Sequence, residues 1–390
     1  MRALQINIVY AQGSTGHITE TLHKEYLKQG IDSYVLFGRG PKQIDKRVIR
    51  CSYLWEAKLW RFISLLTGNI YGGVPFSTLH IKHLIKKLHP DVVHLQCING
   101  NMVNIYSLMN WLKKKKIKTI LTHHAEFMYT GGCGVALCPK WKDHCEHCPH
   151  KTEVFGRCSI DRSASNWKRF QKSYRSFDGL ANVFVSPWLQ RQGAESPLLT
   201  NFGHPVTILN PVNVEIFNPN DAAPLPEVLA NKKYILTPVA RFFDPNKKTD
   251  SIEEVASALQ TRGLYLTVAG APKGFQFSSP NIVNLGFVTS AQTMASLYRH
   301  AQCTLVMSKE ESFSMPVAES LCCGTPVIGF KAGGPESFAD PHFSAFVDQG
   351  DVSNLVLNIE RLAGTRITKD QSELFAPSAI AQQYLRLYQK

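Results

Sequence analysis

Hydrophobic positions along this 390-residue chain recur as short apolar runs separated by longer amphipathic stretches, with glycine, proline and asparagine at the joints. Short runs of β-branched and aliphatic residues read as strands, and 3.6-residue periodicity between them reads as helices. Leu4–Ala11 is the first strand, followed by Gly13-Ser14-Thr15-Gly16, a helix over about His17–Gln29 and a strand at Ser33–Phe37. Asp91–Gln96, Lys118–Thr122, Asn182–Val185 and Val206–Leu209 continue the series. Uniformly apolar strands of this kind belong to parallel sheets covered on both faces. Asn210–Asn220, rich in proline and asparagine, reads as a linker, after which the rhythm restarts. Strands are then expected at Tyr234–Ala240, Leu264–Ala269 and Asn281–Leu285, with helices at Asp250–Gln260 and Ala291–His300. Two further strands, Cys303–Ser308 and Pro326–Phe330, flank a helix over Pro316–Cys323, with proline at its first position and Gly324 after its end. The pattern predicts an α/β chain of two doubly wound halves, residues 1–217 and 218–390. The last helix, about 376–390, is a candidate to pack back on the first half.

Two stretches of the first half are amphipathic in another way. Trp55–Leu66 places Trp55, Leu59, Phe62, Ile63 and Leu66 on one helical face, with Lys58 and Arg61 off it. Ile81–Leu88 repeats the pattern with Lys82, Lys86 and Lys87. Such a helix either packs its apolar face on the protein, the reading preferred here, or lays it on a membrane interface.

Charge sharpens the division. Met1–Phe217 holds 28 Lys and Arg against 14 Asp and Glu, a net of +14, and the remainder nets −1. The basic half therefore expects an anionic surface or partner. Its lysine runs, Lys113–Lys116 included, lack a reading helix or aromatic platform, so nucleic acid is not the expected partner. Hydrophobic residues at 44% and charged residues at 19% make the chain globular. The absence of a long apolar run and the start in MRALQINIVYAQG predict neither a membrane span nor a secretory signal, and adjacent Cys322-Cys323 points to a reducing cytosol.

Candidate chemistry concentrates in Cys303–Asp340. Glu311 falls in the loop beyond a strand's carboxyl end, where open α/β sheets bind ligands, and Glu319 lies on the following helix in an E-x7-E spacing. Gly333-Gly334-Pro335-Glu336 forms a second loop whose amides suit phosphate. Arg241, with Lys247 or Lys248, sits past another strand end, suited to clamp a diphosphate. In the first half, the Gly13–Gly16 turn is either a tight turn or a backbone contact to phosphate or sugar. His123-His124 ends a strand, where a histidine either accepts a proton, hydrogen-bonds a hydroxyl or caps the strand. Finally, Cys133, Cys138, Cys145 and Cys148, with Cys158 beyond, form an insertion over 133–158. Their C-x4-C-x6-C-x2-C spacing is read as a structural zinc site, with buried free thiols as the alternative.

Together these motifs resemble the retaining family 4 glycosyltransferases of GT-B architecture, in particular bacterial enzymes of colanic-acid and O-antigen assembly. The resemblance rests on Glu311-Ser-Phe-Ser-Met-Pro-Val-Ala-Glu319, Gly333-Gly-Pro-Glu336, Gly13-Ser-Thr-Gly16, Thr122-His-His124 and Tyr129-Thr-Gly-Gly-Cys133. The cysteine–tryptophan segment Cys138–Pro149, Asp161-Arg-Ser163 and Ser186-Pro-Trp-Leu189 extend it across nearly the whole chain. It implies two Rossmann-like domains facing across a cleft, the second holding a GDP- or UDP-linked sugar donor and the first a lipid-linked saccharide acceptor. It implies that Arg241 and Lys247 or Lys248 bind the diphosphate, Glu311 the sugar hydroxyls and Glu319 the ribose. His124 would lie near the transferred sugar and Gly16 near its phosphates, with Gly13, Ser314, Met315, Gly334 and Glu336 also binding donor. The implied reaction is hexosyl transfer with retention and no catalytic cofactor, by a cytoplasmic enzyme peripheral at the inner membrane face. A phosphorylase or epimerase of the same fold is the alternative.

Overall fold

Every strand pairing among the described residues is parallel. The computed structural model describes residues 1–136, 138–154, 160–200, 202, 205–220, 224–247, 251–367 and 371–389. Two compact units are formed, one by Met1–Leu209 with Ile380–Lys390, the other by Asn210–Ala379.

The first unit holds a seven-stranded sheet of β1 (Arg2–Val9), β2 (Asp32–Arg39), β3 (Val48–Arg50), β4 (Val92–Leu95), β5 (Thr119–His123), β6 (Leu180–Phe184) and β7 (Val206–Thr207). Its order is β3-β2-β1-β4-β5-β6-β7. The second unit holds β8 (Tyr234–Pro238), β9 (Tyr265–Ala269), β10 (Ile282–Gly286), β11 (Thr304–Val306), β12 (Val327–Phe330) and β13 (Ser344–Val347), in the order β10-β9-β8-β11-β12-β13. Each sheet thus reverses direction of growth at one point, between β1 and β4 and between β8 and β11. At such a point the loops leaving neighbouring strands diverge and open a crevice at their carboxyl ends.

The apolar runs form strands because both sheet faces are covered. Ile235, Leu266, Val268, Leu305, Ile328 and Phe330 are fully buried in the second unit, packed with Ile252, Val255 and Leu259 of helix Ser251–Gln260 and Leu355 and Ile359 of helix Val352–Leu362. The polar exception in β4, buried His94, is satisfied by two hydroxyls: Nδ1 lies 2.6 Å from Tyr388 Oη and Nε2 2.7 Å from Thr122 Oγ1. Tyr388 also meets Tyr26 Oη at 3.0 Å, so the end of the C-terminal helix Pro377–Gln389 is bound into the first unit by polar contacts inside an apolar layer.

Helix Leu54–Thr67 departs from the packing expected of it. It buries Glu56 and Ser64 and leaves Trp55, Leu59, Phe62, Leu65 and Leu66 exposed. The preferred packed-face reading of the sequence is therefore corrected, and the reason is Glu56. Its carboxylate accepts the amides of Phe76 and Ser77, each at 2.7 Å, at the start of helix Pro75–Leu88, which draws the polar side inward.

Candidate active site

In the second unit the loops leaving β8 and β11, on either side of the switch point, are fastened together by Asn246. Its Nδ2 donates to Glu310 O at 2.7 Å, its Oδ1 accepts from Glu310 N at 3.1 Å, and its carbonyl accepts from Lys309 N at 2.8 Å. That staple sets Lys247 against Glu311 as an ion pair, with both side chains about one-fifth exposed. Ser308 Oγ donates to the same Glu311 oxygen at 2.8 Å. Lys247 is thus the described lysine of the pair that the sequence could not separate; Lys248 lies outside the described residues. Arg241 is 81% exposed, with Asp244 Oδ2 at 3.7 Å, so it stands at the rim of the loop rather than on Glu311.

The loop after β12 completes this surface. Glu311 pairs with Gly333 as a parallel bridge, its amide donating to Ala332 O at 2.9 Å while Gly334 N donates back to Glu311 O at 2.9 Å. A Cβ at Gly334 would lie 2.4 Å from Glu311 O and 2.6 Å from Ser312 C and O, so only glycine allows this approach. Glu336, expected among donor-binding groups, has its carboxylate on the amides of Ala332 (3.1 Å) and Gly333 (2.6 Å). Those two amides are therefore occupied by the chain itself.

Helix Met315–Cys322 starts beside this loop; Pro316 carries no amide hydrogen and Ala318 N donates to Ser314 O at 3.4 Å, which leaves the first-turn amides of Met315 and Val317. Ser314 precedes it with φ 81°, in the left-handed region, and its buried Oγ has no partner among the described residues. A strained backbone and an orphaned buried hydroxyl at one position are each costly and unusual. Glu319, on that helix, accepts from Tyr298 Oη at 3.1 Å. Asn246 and Tyr298 escaped the sequence reading because their roles rest on partners 64 and 21 positions away, and Ser308 because it read only as the end of a strand.

In the first unit, the expected glycine turn is instead the first turn of helix Gly13–Lys28, with Gly13 at φ 61°. Gly16 is buried where the helix abuts β1: a Cβ there would meet Val9 Cγ2 at 3.1 Å and Ala11 N at 3.4 Å. The two histidines divide. His123 is buried, stacked on Phe184 at 4.5 Å, with Nε2 2.9 Å from Asn182 Oδ1, and burial lowers its pKa to about 4. His124, partly exposed, has Nε2 2.6 Å from Gln96 Oε1. Gln96 Nε2 donates to Gln5 Oε1 at 3.1 Å, and Gln5 Nε2 to Thr19 O at 3.4 Å. Because the Thr19 carbonyl can only accept, the two amides are oriented and His124 Nε2 must donate to Gln96. Burial and neighbouring His123 lower the His124 pKa to about 3. Neutral, with Nδ1 as a lone-pair acceptor, it can accept a hydrogen bond and is a weak base.

The described part of the cysteine insertion does not assemble a zinc site. Among the described residues no group of three or more His, Cys, Asp or Glu could hold a metal ion, so the zinc expected on Cys133, Cys138, Cys145 and Cys148 is not supported there. Burial, with Cys148 and Cys138 nearby, pushes the Cys145 thiol up to about 12. Cys133 lies instead in the surroundings of buried Tyr71. The insertion is pinned by other means: Asp161 accepts from the amides of Cys148 and Ser163, each at 2.8 Å, and Trp141 packs edge-on to Tyr129 at 5.3 Å. Cys158 lies outside the described residues, and no described cysteine is in a disulfide.

Comparison with known proteins gives these sites a context. Residues 233–365 match the family described as Glycosyl transferases group 1. WcaC of Escherichia coli (strain K12), named as a colanic acid biosynthesis glycosyl transferase, is 22% identical over 91% of this chain and 89% of its own length. Among solved structures, sucrose-phosphate synthase of Thermosynechococcus elongatus superposes with a TM-score of 0.67 at 18% identity, covering 100% of this chain and 98% of that one. HepE of Anabaena, solved in complex with UDP-glucose, gives 0.63 at 12% identity, covering 100% and 99%. Residues 233–365 are thus a group 1 glycosyl transferase domain, and the chain is a glycosyltransferase with the GT-B fold.

Proposed function

We propose that the protein transfers a sugar from a UDP- or GDP-linked donor to a lipid-linked saccharide, with retention and without a metal, in bacterial surface-polysaccharide assembly. The observation that carries the donor half is the Lys247–Glu311 pair with Ser308, held at the β8/β11 switch point by Asn246 beside the start of helix Met315–Cys322. The UDP-glucose bound by HepE supports the donor class, and the colanic acid name of WcaC supports the polysaccharide setting. The net +14 of the first 217 residues supports work at an anionic membrane face, and no described helix is long and apolar enough to cross one.

Cleaving a sugar–phosphate bond builds positive charge on the anomeric carbon and negative charge on the leaving diphosphate. In this reading Lys247, with Arg241 from the rim, meets the diphosphate, and the unpaired first-turn amides and Ser314 Oγ meet its oxygens. Glu311 receives sugar hydroxyls, Glu319 the ribose, and His124 Nδ1 a sugar hydroxyl. Charges already aimed at the leaving group lower the barrier without reorganisation.

The test is a screen of UDP- and GDP-sugars for nucleoside diphosphate release with a lipid-linked acceptor extract, repeated in chelator. Release from one donor, undiminished by chelator and giving a retained anomer by NMR, is expected. Lys247→Ala should cut turnover by about 10²–10³, the scale of removing a preorganised donor at a developing charge. Failure of every nucleotide sugar to bind or react overturns the proposal, and loss of activity in chelator overturns its metal-free part.

A further inference from the structure

We infer that helices Leu54–Thr67 and Pro75–Leu88 form one surface that inserts into the interface of an anionic lipid bilayer. The inference deepens the membrane part of the function proposed above, and rests on it only for its biological purpose. Nine of the 19 large hydrophobic side chains exposed among the described residues fall between Tyr53 and Leu79. Monomeric soluble proteins seldom leave such a contiguous apolar patch uncovered. The two helices share it: Trp55 and Phe76 rings lie 5.8 Å apart, Tyr53 stacks on His80 at 5.4 Å, and an open groove of about 450 Å³ runs between Tyr53, Trp55, Phe76, Leu79, His80 and His83.

The inversion of the first helix is built in. Glu56 is 1% exposed and its carboxylate holds the amides of Phe76 and Ser77. Before them Val74 sits at φ 55°, a strained conformation for a β-branched residue, which persists only where neighbouring contacts hold it. With Glu56 pinned, the 100° helical step turns Trp55, Leu59, Phe62 and Leu66 to solvent as one stripe. Gly73 closes the rear, since a Cβ there would meet the Trp60 ring at 2.6 Å.

Charge complementarity selects the occupant. Between Asp45 and Asp91 the chain has one acidic residue, the buried Glu56. Lys58 and Arg61 are exposed along the edge of the apolar stripe, and Lys86 and Lys87 continue the exposed face of the second helix beyond Phe76, Leu79 and His83. Lys82 is turned aside onto Ser107 Oγ at 2.8 Å. An apolar centre bordered by long basic side chains and free of exposed carboxylates matches a layer of anionic headgroups over acyl chains. A protein partner or a second copy would call for acidic groups that this face could meet, and the face itself offers none in return.

The test uses the full chain and co-sedimentation with vesicles of phosphatidylethanolamine and phosphatidylglycerol, against phosphatidylcholine alone. The wild type should bind the anionic vesicles, less so as salt rises. Phe62→Ser/Leu66→Ser/Leu79→Ser, all exposed positions, should keep the wild-type melting temperature and weaken vesicle binding about a hundredfold or more, from the lost burial of three side chains. Lys58→Gln/Arg61→Gln/Lys86→Gln/Lys87→Gln should weaken it about tenfold or more. Absence of wild-type binding, or undiminished binding by the apolar variant, overturns the inference. So does a wild-type dimer in light scattering that becomes monomeric in that variant, since the face would then belong to a second copy. Nucleotide-sugar binding by calorimetry without lipid should be unchanged in both variants. Its absence from the wild type would sink the donor reading and leave the docking result standing.

Discussion

Gly334→Ala probes the construction of the candidate site with one methyl group. The new Cβ would sit 2.4 Å from Glu311 O and 2.6 Å from Ser312 C and O. An ordinary carbon–oxygen contact is about 3.4 Å or more, so the Glu311–Ser312 peptide must retreat by roughly 1 Å. Both obstructing groups are backbone, so no side-chain rotation relieves the clash. Overpacking of this kind costs about 1–3 kcal/mol, and the Gly334 N to Glu311 O bond of 2.9 Å, worth about 1 kcal/mol, is strained with it. A total of about 2–4 kcal/mol should lower the melting temperature of the second unit by roughly 5–15 °C. The same displacement carries Glu311 away from Lys247, and a shift of about 1 Å in a reacting geometry costs on the order of a hundredfold in turnover. Scanning calorimetry and nucleotide-sugar titration on the same preparation measure both quantities. Gly179→Ala is the control, because its Cβ would find only Ile117 O at 3.6 Å and Lys118 Cα at 3.8 Å. Wild-type melting and donor affinity in Gly334→Ala would refute the claim that this loop crossing positions Glu311.

Two further outcomes follow from named contacts. Asn246→Ala removes both side-chain bonds to Glu310 and should cost about 1–3 kcal/mol by denaturant unfolding, with a turnover loss of tenfold or more; unchanged turnover would show that the staple is dispensable. The first unit should also lose stability in mild acid. Unfolded histidines titrate near 6.5, whereas burial holds His94 down to about 3 and His123 to about 4. Below pH 6.5 the unfolded chain therefore binds more protons, so this stability is fully present above pH 6.5 and declines as pH falls towards those lower values. The slope is up to about 1.4 kcal/mol per pH unit for each histidine. Denaturant unfolding across that range measures it, and a flat profile would contradict the burial of both rings.

The strand series, the doubly wound class and the location of E-x7-E were legible in the order of residues, because a parallel strand covered on both faces must be apolar wherever the chain folds. Boundaries moved by a few residues, as at Met315–Cys322 against the expected Pro316–Cys323, since the strained Ser314 starts the helix one residue early. What the linear pattern could not carry are choices made by partners distant in the chain. Lys247 reaches Glu311 because Asn246 bonds a residue 64 positions away. His124 takes a defined tautomer through Gln96 and Gln5, while its neighbour His123 is absorbed by Phe184 and Asn182. The cysteine spacing suggested a metal, yet the described residues gather no metal-ligand cluster, and the contacts that anchor them there come from Asp161 and Trp141. Helix Leu54–Thr67 shows the division most plainly. Its amphipathic period was written in the sequence, but which face meets the protein was decided by a carboxylate finding two helix-start amides twenty residues on. Periodicity is a local property of side-chain order, and burial is a property of what the rest of the chain brings against it.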